Sequence, residues 1–529
     1  MTFSPAPNSR LSQLQQWVVT AEQMRQIEGR VFAAGMPVAA LMEKVGGLLA
    51  GRVQELLGNP VGQTVGVLVG RGHNGGDALV VARELHLRGW NVLIYCPFSG
   101  LKDLTAGHYQ YCAGLGIPLV EQLAHLQGCD YLIDGLFGFG LDRPLEGELA
   151  RLVEQINAWA KPVISIDLPS GLDTDSGRVM GTALRASHTL CLGLWKLGLL
   201  QEHALEYVGA AELIDFGLPL EDIQAVLGAV PPVRRVTSPW AIAQLPLQRP
   251  ATTHKYEMGH LLLVCGSRRY AGGAILTGLG ARASGVGMLS IAVPASLKPI
   301  LTAQLPDTLV LDCPETEAGA IAQLPPGLNL QTYDAIACGP GLTTAATAVV
   351  EQVFSSDQPL VLDADGLNIL TEQGMLPSLQ ERLAPTLLTP HLGEFRRLFP
   401  QLAVELTCRV TAVQQAAAQT GAIVLLKGAR VVMASAQGAV AINPESTSAL
   451  ARGGSGDVLT GLIGGLWAQT AARSVDFDPF PLVAAGVWWH AQAGILAMEE
   501  RTILGVDAST LTQYLLPALV RARLQPDRC

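Results

Sequence analysis

Nowhere in the 529 residues do two cysteines stand in CxxC spacing, and the nine cysteines present are scattered and odd in number. That excludes a disulfide framework and a thiolate zinc site. Charge is also scarce. Only 15% of residues are charged, with 45 acidic against 35 basic and a formal net charge of −10, so a nucleic-acid surface of clustered lysine and arginine is excluded. Long hydrophobic runs are missing too: the most apolar stretch, 482–498, is broken by His490, Gln492 and glycines, short of the ~18 uninterrupted apolar residues a membrane span needs. The first residues, MTFSPAPNSRLSQLQQ, lack the basic start and apolar block of a secretion signal, so a cytoplasmic protein with no membrane partner is expected.

What is abundant is glycine, 57 residues, within a chain that is 49% apolar. This suits an α/β protein with buried parallel strands and tight loops. The length exceeds what one core accommodates, so at least two domains are expected. Thr20 with Gln23 three residues on reads as a capping box, starting a helix that stops at Gly35 and Pro37. A second helix is expected over 37–57, with Leu41, Val45, Leu48 and Leu49 on one face. Strands are expected at 64–70, 91–97, 131–138 and 162–171, alternating with helices. The proline-rich segment 230–253 marks a boundary near Arg234, and a second α/β series follows, with strands at 259–267, 288–294, 335–341, 360–366, 386–391 and 423–429. The domains are thus 1–234 and 235–529. Trp488 and Trp489 are expected in the core.

In the first domain VLVGRGHNGGDALVVAR (67–83) reads as a strand, a loop with four glycines, and a helix. Gly70, Gly72 and Gly75 fit GxGxxG, which on its own is compatible with dinucleotide binding. That pattern leaves unexplained Asn74 and Asp77 in the loop, and Asp134 and Asp167 at strand ends. Ligands bind at the carboxyl ends of strands in an open parallel sheet, so Asn74, Asp77, Asp134, Asp167 and Ser170 can converge on one cleft. An amide, a carboxylate and a hydroxyl supply oxygens suited to a hard cation such as potassium. Helix and turn capping is the other use of such residues.

In the second domain ARGGSGDVLT (451–460) runs a glycine-rich turn into Asp457 and an apolar helix expected to start near Val458. Backbone N–H groups and a helix N-terminus there can hold phosphate, and a neighbouring carboxylate can take the proton of a hydroxyl that attacks phosphorus. A carboxylate that merely satisfies the helix dipole would look the same in sequence.

GHNGGDALVVAR, DGLFGFGLDRP (134–144) and SIDLPSGLDTDSG (165–177) together resemble the NAD(P)H-hydrate epimerase family, with His73 and Ala78 where the family usually has asparagine and glycine. HKYEMGH (254–260), GPGL (339–342), DADGLN (363–368), TPHLGEF (389–395), KGARVV (427–432) and the GGSGD turn resemble the ADP- or ATP-dependent NAD(P)H-hydrate dehydratases. The resemblance implies an N-terminal Rossmann-like αβα domain and a C-terminal ribokinase-like αβα domain. It implies that Asn74, Asp134 and Ser170 hold potassium, and that Asn74, Gly75, Gly76, Asp77, Gly138, Phe139, Gly140, Leu141, Asp142, Arg143, Pro144 and Asp167 bind the hydrated nicotinamide. In the second domain Ala274, Gly341, His391 and Asp457 would contact the hydrated coenzyme. Lys427, Gly428, Ala429, Arg430, Val431 and Gly456 would hold the adenine nucleotide, with magnesium bound alongside ADP. Asp167 is the candidate proton carrier of the epimerisation and Asp457 the base of the phosphoryl transfer. A homo-oligomer is expected. Two other activities fit parts of the pattern: a ribokinase-like small-molecule kinase, and a first domain that binds ligand without catalysis.

Overall fold

The computed structural model describes residues 10–403, 408–474 and 476–524. The chain divides into two compact units, Met1–Val233 and Arg234–Cys529. Among the described residues no helix is long and apolar enough to cross a membrane.

The first unit is built on seven parallel strands: β1 Thr64–Val69, β2 Asn91–Tyr95, β3 Leu119–Val120, β4 Tyr131–Gly135, β5 Val163–Ile166, β6 His188–Leu192 and β7 Ala210–Ile214. Their spatial order is β3-β2-β1-β4-β5-β6-β7. Runs such as VISI in β5 are buried along their whole length, which a sheet covered on both faces requires. The order reverses between β1 and β4, so a crevice opens at their carboxyl ends. The capping box at Thr20 starts α1 (Ala21–Ala33) as the sequence indicates, and Pro37 precedes α2 (Val38–Leu57). The buried face of α2 is Met42, Val45, Leu49 and Val53; Leu48, expected on it, lies 41% exposed, one position off the stripe.

The helix after β1, α3, spans His73–Leu87. Asn74 and Asp77 are therefore in its first two turns and not in a loop. Close packing explains why glycines stand here: a Cβ on Gly75 would come within 2.0 Å of the Gly70 carbonyl oxygen, and one on Gly70 within 1.9 Å of that of Leu136. Helix α4 (Leu220–Leu227) packs against α1.

The second unit carries ten strands: β8 Val233–Arg235, β9 His260–Val264, β10 Met288–Pro294, β11 Leu309–Cys313, β12 Ala335–Cys338, β13 Leu360–Leu362, β14 Thr386–Leu388, β15 Ile423–Leu426, β16 Val431–Ala434 and β17 Val440–Asn443. The order is β8-β17-β16-β15-β14-β13-β12-β9-β10-β11, parallel from β11 to β15, with β16 and β17 antiparallel. Here the switch point lies between β9 and β12. Trp488 and Trp489 on α9 (Pro479–Arg501) are 2% and 1% exposed, in the core as expected.

Two helices of this unit, α5 (Ala271–Ser284) and α8 (Ser455–Ala471), touch backbone to backbone. A Cβ on Gly461 would lie 1.9 Å from the Thr277 carbonyl oxygen, and one on Gly280 2.2 Å from that of Val458. The glycines remove the side chains that would otherwise keep the axes apart. As a result the first turns of α5 and α8 stand side by side.

Candidate active sites

In the first unit a cavity of about 310 Å³ opens at the switch point. Its floor is apolar, from Leu41, Met42, Phe137 and Phe139; Asn74, Asp77 and Asp167 reach it from α3 and the end of β5. Gly138, Gly140 and Leu141 complete the wall after β4. Other residues singled out in sequence lie elsewhere. Gly75 and Gly76 face inward, where a Cβ would meet the Gly70 backbone and the Met42 sulfur, while Asp142, Arg143 and Pro144 are exposed beyond the cavity wall.

Asp167 sits at φ +68°, a strained conformation for a residue with a side chain. Lys196, fully buried, places Nζ 2.5 Å from Asp167 Oδ1 and 2.5 Å from the Leu192 carbonyl oxygen. Burial is the largest influence and acts to discharge this lysine, but the charge and hydrogen bond of Asp167, with Cys191 and Glu28, together outweigh it and raise its pKa. Lys196 has no place in the motifs read from sequence, although a lone lysine inside GLWKLGLL (193–200) is a detectable signal of a paired buried charge. Glu28, from α1, likewise lies outside every motif read from sequence. Burial pushes its carboxyl up to about 7, with Lys196 opposing and Asp167 reinforcing. Asp77 is driven well above the ordinary range by burial, then by Asp167 and Glu28. Three carboxyl groups, of Glu28, Asp77 and Asp167, therefore gather near the buried Lys196 ammonium.

Asp134 lies beneath. Its oxygens accept from Ser170 Oγ (2.6 Å), Ser170 N (2.8 Å), Ser165 Oγ (2.9 Å) and Leu136 N (3.2 Å). Burial still raises its pKa despite these bonds. Asn74 Nδ2 is buried without a hydrogen-bond partner among the described residues, and Asn74 Oδ1 faces Gly138. Amide, hydroxyl and carboxylate oxygens make a donor set that fits a monovalent hard cation. Among the described residues no three histidine, cysteine or acidic side chains cluster as a metal site.

In the second unit α8 begins at Ser455, with Gly454 as its left-handed cap, so Asp457 belongs to the first turn and the helix starts three residues earlier than expected. The amides of Gly456 and Asp457 have no acceptor within the helix. A Cβ on Gly273, in the first turn of α5, would lie 3.3 Å from Asp457 Oδ2 and 3.6 Å from the amide nitrogen of Gly341, which has φ +68°. Asp457, Gly273 and Gly341 thus meet at one point. Ala274, expected at the site, is fully buried and packs on Gly266, so its methyl group faces the core.

A second polar pair underlies Asp457. Asp363, at the end of β13, accepts from Lys427 Nζ at 2.6 Å and from Thr460 Oγ1 at 2.7 Å. Burial would raise Asp363, but Lys427 and these hydrogen bonds hold it below its ordinary value. Lys427 is correspondingly raised against burial, chiefly by Asp363. Asp457 is pushed up to about 7, by burial first and then by Asp363, with Lys427 opposing. The DADGLN motif assigns Asp363 no role, because sequence spacing does not reveal its pairing with Lys427.

Lys427 thus has a carboxylate partner beneath the helix terminus, with the Gly456 Cβ position 3.2 Å from its Nζ. Gly428 and Ala429 are exposed in the turn before β16. Arg430 is lowered to about 10 by burial and by Arg235, and its Nε is buried without a hydrogen-bond partner among the described residues. His391 is exposed and caps helix α6 (Leu392–Leu398), its Nδ1 accepting from Gly393 N at 2.9 Å, while Glu394 accepts from His391 N at 2.8 Å. On α9, buried His490 donates from Nε2 to the Ser455 carbonyl oxygen (2.9 Å); burial lowers it to about 4, so it stays neutral and anchors the start of α8.

A family profile described as "NAD(P)H-hydrate dehydratase" matches residues 261–517, and one described as "YjeF-related protein N-terminus" matches residues 38–198. Over 501 residues the chain is 53% identical to a Synechocystis protein named bifunctional NAD(P)H-hydrate repair enzyme Nnr, covering 95% of this chain and 94% of that one. A protein of the same name from Thermofilum pendens is 35% identical over 505 residues, 92% of each chain. Among solved structures, the ADP/ATP-dependent NAD(P)H-hydrate dehydratase of Bacillus subtilis co-crystallized with ATP/Mg2+ is 33% identical, covering 54% of this chain and 97% of its own, with a TM-score of 0.46.

Proposed function

The chain belongs to the bifunctional NAD(P)H-hydrate repair family, and from that premise we propose that its first unit interconverts the R and S forms of hydrated NADH and NADPH. The second unit dehydrates the S form to NAD(P)H at the expense of ADP, giving AMP and phosphate. The observation that carries the reading is Asp457: a half-buried carboxyl raised to about 7, in the first turn of a helix, beside the backbone amides of that turn and above the Asp363–Lys427 pair.

Hydroxide leaves a ring carbon poorly, so the hydroxyl is phosphorylated first. Asp457 takes the hydroxyl proton as oxygen attacks the terminal phosphorus, and its position near neutrality lets it do so without strong acid or base. The amides of Gly456 and Asp457 receive the charge that spreads over the phosphoryl oxygens. Magnesium bound with the nucleotide supplies further positive charge there. The ring nitrogen lone pair then expels phosphate and restores the dihydronicotinamide. Gly341 and His391 border the coenzyme, with the backbone beside Ala274. Lys427 to Val431 border the nucleotide, where an anion would satisfy Arg430.

In the first unit the apolar floor of the cavity takes the nicotinamide ring and Asp167 orients it. Asn74, Asp134 and Ser170 would hold potassium, whose charge would steady the carboxylates around it. A chiral dehydratase site accepts one epimer, which gives the fused epimerase its purpose. Eight described cysteines, all unpaired, fit a cytoplasmic location.

The test incubates the chain with mixed epimers and either nucleotide, following recovery of dihydronicotinamide absorbance at about 340 nm. Full recovery is expected with ADP. Accumulation of a stable phosphorylated product would instead identify a small-molecule kinase.

A further inference from the structure

Asp167 has little freedom to carry a proton. Lys196 Nζ and Leu192 N donate to Oδ1 at 2.5 and 3.2 Å, and Phe139 N donates to Oδ2 at 3.1 Å. Three donors, one of them an ammonium, hold it as an acceptor. The same cavity contains an acid that is not so engaged. Glu28 reaches the wall from α1, and its carboxyl has no hydrogen-bond partner among the described residues. Across the cavity Asp167, Lys196 and Asp77 face it; His73, Arg71 and Lys102 line the same space. Behind α1, α4 carries Glu221 and Asp222, the latter paired with Arg30.

We propose that Glu28 is the acid–base residue of the epimerisation, exchanging protons with the hydroxyl and the ring nitrogen of the hydrated coenzyme while Asp167 and Lys196 fix the ring. This rests on the repair reading of the first unit. The hydroxyl and the nitrogen are bonded to one carbon, so they are separated much as the two oxygens of a carboxyl are. One neutral carboxyl can therefore serve both. Its O–H proton passes to the ring nitrogen as the carbon–nitrogen bond breaks, and its carbonyl oxygen takes the hydroxyl proton as the carbon–oxygen double bond forms. The product is an open-chain aldehyde, with Glu28 again neutral and no electrons gained or lost. After rotation about the adjacent carbon–carbon bond, nitrogen closes on the other face and the two protons return. Burial that raises this carboxyl keeps the neutral form available near neutrality.

The experiment measures R-to-S interconversion by the full chain for wild type, E28Q and E28D across pH 5.5 to 9, a range of about 1.5 units or more on each side of neutrality. Dehydration of pure S epimer by the second unit serves as the internal check that each variant folds. E28Q is expected to lose about 100-fold or more in kcat with KM little changed, and E28D to recover part of that loss. Wild-type kcat/KM should fall as pH rises through about 7, and E28Q should lose that limb. A wild-type rate in E28Q, with the limb intact, overturns the assignment of Glu28 and leaves the repair reading standing. A wild-type chain that does not interconvert the epimers at all removes both.

Discussion

Replacing Asp457 by asparagine should make the second unit more stable at alkaline pH while removing its chemistry. The folded-state pKa of Asp457 is about 7 against 3.8 for the ordinary carboxyl, so the folded state binds this proton more tightly than the unfolded state. For an acid shifted upward, ionisation is what the fold opposes. The cost is absent below about 4, grows between about 4 and 7, and is complete above 7. About three units correspond to at most ~4 kcal/mol, since each unit is ~1.4 kcal/mol. Asparagine has no proton to lose and escapes this cost. Thermal or urea unfolding of the full chain, following the second unit's transition, should show D457N more stable than wild type by about 1–1.5 kcal/mol at pH 5 and by about 2–4 kcal/mol at pH 8. An equal difference at both pH values would refute the claim that the fold opposes a charge at this turn.

Other perturbations reach the same sites from different sides. G461A places a methyl group against the Thr277 carbonyl oxygen, so α5 and α8 must separate; we expect a loss of ~1–3 kcal/mol in the second unit and impaired dehydration, read by denaturation and turnover, with epimerisation intact. K196M leaves the charge of Asp167 buried and unpaired, and should cost the first unit ~3–5 kcal/mol, which K196M/D167N should partly restore in the same unfolding assay. D363N removes the like charge that helps to raise Asp457. The acidic limb of the dehydratase pH–rate profile should therefore move to lower pH, and an unmoved limb would disconnect the two carboxyls.

Much of the fold was legible because its signals are local. The Thr20–Gln23 capping box, the Gly58 stop and the alternation of short apolar runs with helices each follow from neighbours in sequence. Leu119–Val120, at a sheet edge, and Val440–Asn443, one strand in from an edge, escaped because strands of two to four residues carry little periodicity. The helix starts were misplaced for one physical reason. Glycines at 75, 76 and 456 read as loop, yet tight packing or a neighbouring ammonium occupies the space their side chains would fill. Asp134, Asp167 and Asp457 were recognisable because motifs surround them. Lys196, Glu28 and Asp363 were not, since their meaning lies in partners 29 to 168 residues away. Buried ion pairs are made by topology, and spacing along the chain does not encode them.

On the proposed function Asp457 assists in lending the hydroxyl a phosphoryl group that the ring then expels. Phosphorus NMR and absorbance, followed together on S epimer with ADP, test it most directly. One phosphate and one AMP are expected for every dihydronicotinamide recovered, and neither product with D457N. Coenzyme recovery by D457N at the wild-type rate, or recovery without nucleotide cleavage, would contradict it.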